Sequence, residues 1–126
     1  MCQTDNKLVK LRKDRIAYKV ESKINGKWVT AYQGSFLKRN VVITAKGKKD
    51  IRGSIEGGFF HCFKNKREIL NDCKKTEWTD TIRLVKVIIP AKDNTVYSGN
   101  ACCDWDWYKT ICARKIILTD DVVWEA

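Results

Sequence analysis

Between Ile16 and Glu21 the side chains alternate, with Ile16, Tyr18 and Val20 on one side of an extended chain and Ala17, Lys19 and Glu21 on the other. A period of two predicts a half-buried strand with these two sets on opposite faces. "KWVTAYQ" repeats the pattern, setting Trp28, Thr30 and Tyr32 against Val29 and Ala31. Asn25 and Gly26 separate the two runs, and because both tolerate positive φ they predict a type I′ hairpin. Further strands are expected at 41–45 (VVITA), 58–63 (GFFHCF), 82–89 (IRLVKVII), 95–98 (TVYS) and 111–118 (ICARKIIL), all rich in branched and aromatic residues.

One stretch departs from this pattern. Asn65 followed three residues later by Glu68 reads as a capping box, and Ile69, Leu70 and Cys73 form the apolar stripe of a helix from about Lys66 to Lys74. "ACCDWDWYK" (101–109) fits either a second, shorter helical turn or a loop. No repeat, low-complexity tract or Gly, Ser and Pro linker divides the chain. The expectation is a single α+β domain over residues 1–126: β-rich, an antiparallel sheet with one or two short helices against one face.

Composition narrows the class. The 126 residues are 44% hydrophobic and 32% charged, a globular balance, and the net charge of +10 favours a partner bearing phosphates or carboxylates. The six cysteines (Cys2, Cys62, Cys73, Cys102, Cys103, Cys112) follow an N-terminus without an apolar signal run. They are therefore expected as free thiols in a reducing cytoplasm. No pair is spaced CxxC, and the adjacent Cys102 and Cys103 are poorly placed to share a tetrahedral ion, so neither metal nor cofactor is expected. The longest clean apolar run, "VIIPA", is too short to span a membrane.

No catalytic motif is visible. His61 is the only histidine. Its neighbour Cys62 must point to the opposite face of a strand, which leaves only a distant cysteine as a conceivable partner. Neither type of glycine-rich phosphate loop occurs, and the carboxylates of "DWD" and "TDD" are remote from the histidine. The remaining chemistry suits binding. In "EGGFFHCFKNKREIL", Gly57 and Gly58 allow close approach, and Phe59, Phe60 and Phe63 offer flat faces for a base. Phe60 and Cys62 share one face, while Phe59, His61 and Phe63 share the other, so some of these rings must be core. Lys64, Lys66 and Arg67 at the helix start suit an anion, although cations there oppose the dipole. On the expected strand from Ile111, Arg114 would share an apolar face with Cys112, Ile116 and Leu118, either as a stem lying on the sheet or as a guanidinium facing a ligand.

Taken in order, Trp28, "EGGFFHCF", "VKVIIP", "YSGN" and "ARKIIL" resemble the Thoeris anti-defence family of phage proteins. These sponges bind the cyclic ADP-ribose signal of bacterial TIR-domain proteins without cleaving it. The resemblance implies a non-enzymatic β-rich subunit in the cytoplasm of the infected bacterial host, assembled as a dimer or hexamer. It further implies a cyclic ADP-ribose isomer as ligand and, in some members, cyclic oligonucleotides. Carried onto this chain, the ligand-binding set is Gly58, Phe59, Phe60, His61, Phe63, Arg67, Asn100, Tyr108, Lys109 and Arg114. The competing reading is a phage inhibitor, similar to an anti-CRISPR, that grips a host protein or nucleic acid through its positive charge. An enzyme acting through His61 comes third.

Overall fold

The hairpin forms as its turn chemistry requires. Asn25 and Gly26 have φ of 51° and 78°, and they join β2 (Arg15–Ile24) to β3 (Lys27–Thr30) with Ile24 opposite Lys27. The computed structural model describes residues 3–31, 36–46, 54–55, 58–75, 81–103 and 106–126. Before the hairpin lies β1 (Gln3–Val9), and after it come β4 (Val42–Thr44), β5 (Ser54–Ile55) and β6 (Phe60–Phe63). Helix α1 (Lys66–Lys75) follows, then β7 (Ile82–Ile89), β8 (Val96–Cys103), β9 (Asp106–Ala113) and β10 (Lys115–Glu125). Cys2, Tyr32, Glu56, Gly57, Asp104 and Trp105, which entered the sequence reading, lie outside the described residues.

The strands form one sheet in the order β4-β10-β7-β2-β6-β9-β8-β1-β5, with β3 beside β2. Every ladder between named strands is antiparallel, so the protein is mainly β with a single short helix among the described residues. Strand β2 lies in its interior. Residues 15–22 pair along their whole length with β7, while the other edge is shared by β6 at Tyr18 and β3 from Glu21.

This position overturns the half-buried reading of β2. Both faces are covered along most of the strand: Ala17, Lys19 and Glu21 are buried on one, Val20 and Ser22 on the other, while Ile16 near its start is exposed. On one face Ala17, Cys62, Val87, Ile111 and Ile116 form a core, against which Leu37 and Ile43 pack from the segment 36–46. By alternation the opposite face carries Val20, Phe63 and Leu84, capped by Ile69 and Cys73 of α1. The Tyr108 hydroxyl donates to Asp72 Oδ1 at 2.5 Å and ties the helix to β9.

Three further expectations change. The capping box is half made: the Glu68 N–H donates to Asn65 Oδ1 at 3.3 Å, but the Glu68 carboxylate accepts the Lys109 N–H at 2.6 Å instead of returning to the cap. The expected strand 111–118 breaks at Arg114, where the chain bends between β9 and β10. Cys112 therefore packs with Phe59, while Ile116 and Leu118 enter the other core, and Arg114 shares no continuous face with them. Finally, the described part of 101–109 is strand and not helical turn, because β8 and β9 pair from Val96 opposite Ala113 to Cys103 opposite Asp106.

Candidate functional site

The segment 36–46 runs along the sheet as a wall. It is held by three antiparallel pairs between β4 and β10, by the Asn40 N–H donating to Leu118 O at 2.8 Å, and by Arg39 Nη1 donating to Thr119 O at 2.9 Å. Between this wall and the start of β6 opens a cleft with a volume of about 740 Å³. That is the size class of small-molecule sites. Gly58, Phe59 and Phe60 line one side, Phe36 and the residues 41–45 line the other, and Lys19 lies in its lining.

Arg114, outside the lining itself, bonds to both sides of the cleft. Its Nη1 donates to Gly58 O at 2.7 Å, and its own carbonyl accepts the Ala45 N–H at 2.8 Å, so one residue fastens both sides of the cleft. The left-handed φ of Gly58, 75°, lets that carbonyl turn toward the guanidinium. Arg114 is thus engaged with the protein backbone, a positioning arrangement that neither sequence alternative contained.

Lys19 is the unusual group. Only 8% of its surface is exposed, and its Nζ donates to His61 O at 2.7 Å. No carboxylate lies within ion-pair distance of it among the described residues. The nearest acidic group on the same strand face is Glu21, two residues on, and that carboxylate is already claimed. Arg83 Nε holds one oxygen at 3.0 Å and Arg39 holds the other. Arg83 in turn stacks over the Trp28 ring at 4.1 Å. Two guanidinium groups neutralise Glu21, and among the described residues the ammonium two positions away has no counter-ion. A buried ammonium bonded to a neutral carbonyl is only partly compensated, and a cation beside an open cleft is relieved by an anion entering it. Lys38 and Lys46 add charge to the same lining, and no Asp or Glu contributes to it among the described residues.

The sequence-derived residues divide sharply. Gly58, Phe59 and Phe60 line the cleft. Phe59 is nearly buried, edge-on to Tyr97 at 5.7 Å, whereas Phe60 keeps a partly exposed ring. His61 contributes its carbonyl to Lys19 while its ring points to the helix side. Phe63 and Tyr108 are core beneath α1, edge to face at 5.9 Å. Arg67 is exposed on the first turn of α1. Asn100 donates to Asp5 Oδ2 at 3.3 Å, far along the sheet, and Lys109 pairs with Asn100 across β8 and β9. Lys109 and Arg15 both stand near Lys64, whose ammonium is pushed below its ordinary pKa by desolvation first and then by those two cations.

Sequence reasoning missed Lys19, Phe36, Lys38 and Lys46. Lys19 reads as solvent-facing on any alternating strand, and only the covering of both faces of β2 makes it a site. The other three sit in an irregular segment with no periodic signal.

The distant cysteine partner of His61 does exist. Register places Cys112 opposite His61, with Sγ 3.2 Å from Nδ1. Gln3 Oε1 accepts from the Cys112 thiol at 3.2 Å and from Thr110 Oγ1 at 2.7 Å. Gly99 leaves the room for that glutamine, since a Cβ there would stand 2.7 Å from Gln3 Cγ. Burial pushes the Cys112 thiol well above its usual range, and the neighbouring Cys62 adds to the shift. A thiol held protonated and sealed from solvent is the reverse of an activated nucleophile. Cys62, Cys73, Cys102 and Cys112 are all free, and Cys102 alone of these is exposed. Among the described residues no group of three His, Cys, Asp or Glu side chains could hold a metal ion, and no helix is long and apolar enough to cross a membrane. No family model, no curated protein and no solved structure matches this chain.

Proposed function

We propose that this protein binds and sequesters a small anionic nucleotide in the cleft between the 36–46 wall and β6, without altering it. The observation that carries this reading is Lys19, a nearly buried ammonium in the cleft lining with no carboxylate within ion-pair distance among the described residues. Phe60 and Phe36 supply exposed ring surface for a base, and Lys38 and Lys46 supply charge for further phosphate oxygens. The resemblance to Thoeris anti-defence sponges points to cyclic ADP-ribose isomers as the class to try first. Sequestration asks only for affinity, and no activated nucleophile lines the cleft among the described residues.

A second reading rests on the aliphatic wall. Leu37, Val41, Val42, Ile43 and Ala45 give the cleft an apolar side that would equally receive the chain of an acyl carboxylate or phosphate with its head on Lys19. Calorimetry with a panel of cyclic ADP-ribose isomers, mononucleotides and medium-chain acyl anions separates the two. Saturable binding of a nucleotide, recovered intact after heat release and lost in Lys19→Met, is the expected result. Binding of acyl anions alone would transfer the cleft to the second reading. A nucleotide recovered hydrolysed would make the protein an enzyme. Failure of every anion to bind would reject the cleft as a ligand site.

A further inference from the structure

Lys19 and Glu21 share one face of β2, two residues and so about 7 Å apart along the strand. Both are buried, and their stems are long enough to meet, yet no ion pair joins them. The carboxylate is taken by two other cations. Arg83, directly opposite Glu21 on β7, holds Oε1 through its Nε at 3.0 Å, and Arg39 Nη2 holds Oε2. Arg39 comes from the segment 36–46 that walls the cleft, but it is not part of the lining. Its remaining contacts are Thr119 O, to which Nη1 donates at 2.9 Å, and the exposed Asp120, 3.5 Å from Nε. The wall itself is fastened through its backbone, by the pairs between β4 and β10 and by the N–H groups of Asn40 and Ala45. Among the described residues, the distinctive task of the Arg39 side chain is to occupy Glu21 Oε2.

We propose that Arg39 is the positioning residue of the cleft: by holding Glu21 Oε2 it keeps the carboxylate off Lys19 and leaves that ammonium for an incoming anion. This deepens the anion-binding reading of the cleft and rests on it. A carboxylate and a ligand anion compete for one ammonium, and whichever pairs with it cancels the charge that attracts the other. With Arg39 removed, Glu21 keeps only Arg83, and its second oxygen is left buried without its partner. A buried carboxylate oxygen in that state turns to a cation within reach, and Lys19 stands on the same strand face. The coupling is reciprocal. An anion seated on Lys19 returns Glu21 to Arg39, and so strengthens the grip of the sheet on the wall beside the ligand.

Urea unfolding of the unaltered chain, Lys19→Met, Arg39→Gln and their combination tests the assignment without any ligand. Lys19→Met is expected to leave the midpoint of the unaltered chain in place and to lower that of Arg39→Gln, because only there has Glu21 turned to Lys19. Equal effects of Lys19→Met in the two backgrounds overturn the proposal. If Arg39→Gln does not fold, the same comparison is made in Arg39→Lys, which keeps a charge on the wall but gives up the forked grip on Thr119 and Glu21. Calorimetry with cyclic ADP-ribose supplies a second arm. Affinity should fall about tenfold or more in Arg39→Gln, the size of an ordinary coupling between sites. It should return when Glu21→Gln is added, since no carboxylate then competes for Lys19. A loss that Glu21→Gln does not restore makes Arg39 a prop of the wall and overturns the proposal. Absence of binding by the unaltered chain counts against the nucleotide reading of the cleft, and the urea comparison then decides the role of Arg39 by itself.

Discussion

At the residue scale the molecule turns on which buried charges find partners. Glu21 is 1% exposed and holds two arginines, one from β7 and one from the wall of the cleft. Removing its charge leaves Arg83 without its carboxylate and Arg39 with only the exposed Asp120, 3.5 Å away. We expect Glu21→Gln to cost about 3–5 kcal/mol of stability in urea unfolding, the usual penalty for breaking a buried pair from one side. Lys19→Met is expected to behave oppositely. It removes an ammonium that has no counter-ion among the described residues, so the urea midpoint should not fall, while anion binding is lost. A drop in stability comparable to that of Glu21→Gln would show Lys19 to be structural. The buried thiols give a pH dependence of definite sign. Burial and the adjacent Asp72 raise Cys73 from 9.0 to about 12. Above about pH 9 the unfolded chain releases this proton while the folded chain keeps it, so its contribution to stability is whole below 9 and declines as pH rises toward 12. Cys62 shifts in the same direction. Stability measured from pH 8 upward should therefore fall beyond 9, and Cys73→Val should fall less steeply than the unaltered chain.

At the element scale, close approach between strands decides more than propensity. Gly99 sits where β8 pairs with β1, and a Cβ there would overlap the Thr4 carbonyl and the Gln3 side chain. The obstruction is backbone and cannot rotate away. Gly99→Ala should destabilise the protein by about 1–3 kcal/mol, as overpacking does, and should increase amide exchange in β1 ahead of the rest of the sheet. A melting temperature equal to that of the unaltered chain would mean that β1 yields freely. Much at this scale was legible beforehand. The hairpin at Asn25 and Gly26, the helix from Lys66 and the strand 82–89 follow from turn chemistry, capping and branched residues that act within a few positions. The break at Arg114 was not legible. Ala113, Arg114 and Lys115 carry no turn signal, and the bend comes from contacts with Thr95, Ala45 and Gly58, each brought there by another part of the chain.

For the whole molecule, the net charge and the cleft make separable predictions. Attraction to the general positive field is screened by salt, whereas an anion held on a desolvated lysine in an apolar cleft is screened far less. Affinity for the cleft ligand should change by only a few fold as salt rises to about 0.5 M, while retention on nucleic acid should fall by orders of magnitude. Steep salt dependence of the small ligand would move its binding to the open surface. The candidate site was legible in part. Gly58, Phe59 and Phe60 stood out because glycine and aromatic residues together are rare enough to notice, but Arg67, Asn100, Lys109 and the buried Phe63 and Tyr108 are scattered across the sheet and its helix. By itself, then, the order of residues determined the extended segments, the turn, the helix and the alternation of faces along β6, since these depend on neighbours in the chain. Only the tertiary structure decided that both faces of β2 are covered, that His61 stands opposite Cys112, and that Lys19 lies in a cleft with its acidic neighbour taken. Those outcomes depend on pairings between segments tens of residues apart, and burial turns an ordinary surface lysine into the most distinctive charge in the protein.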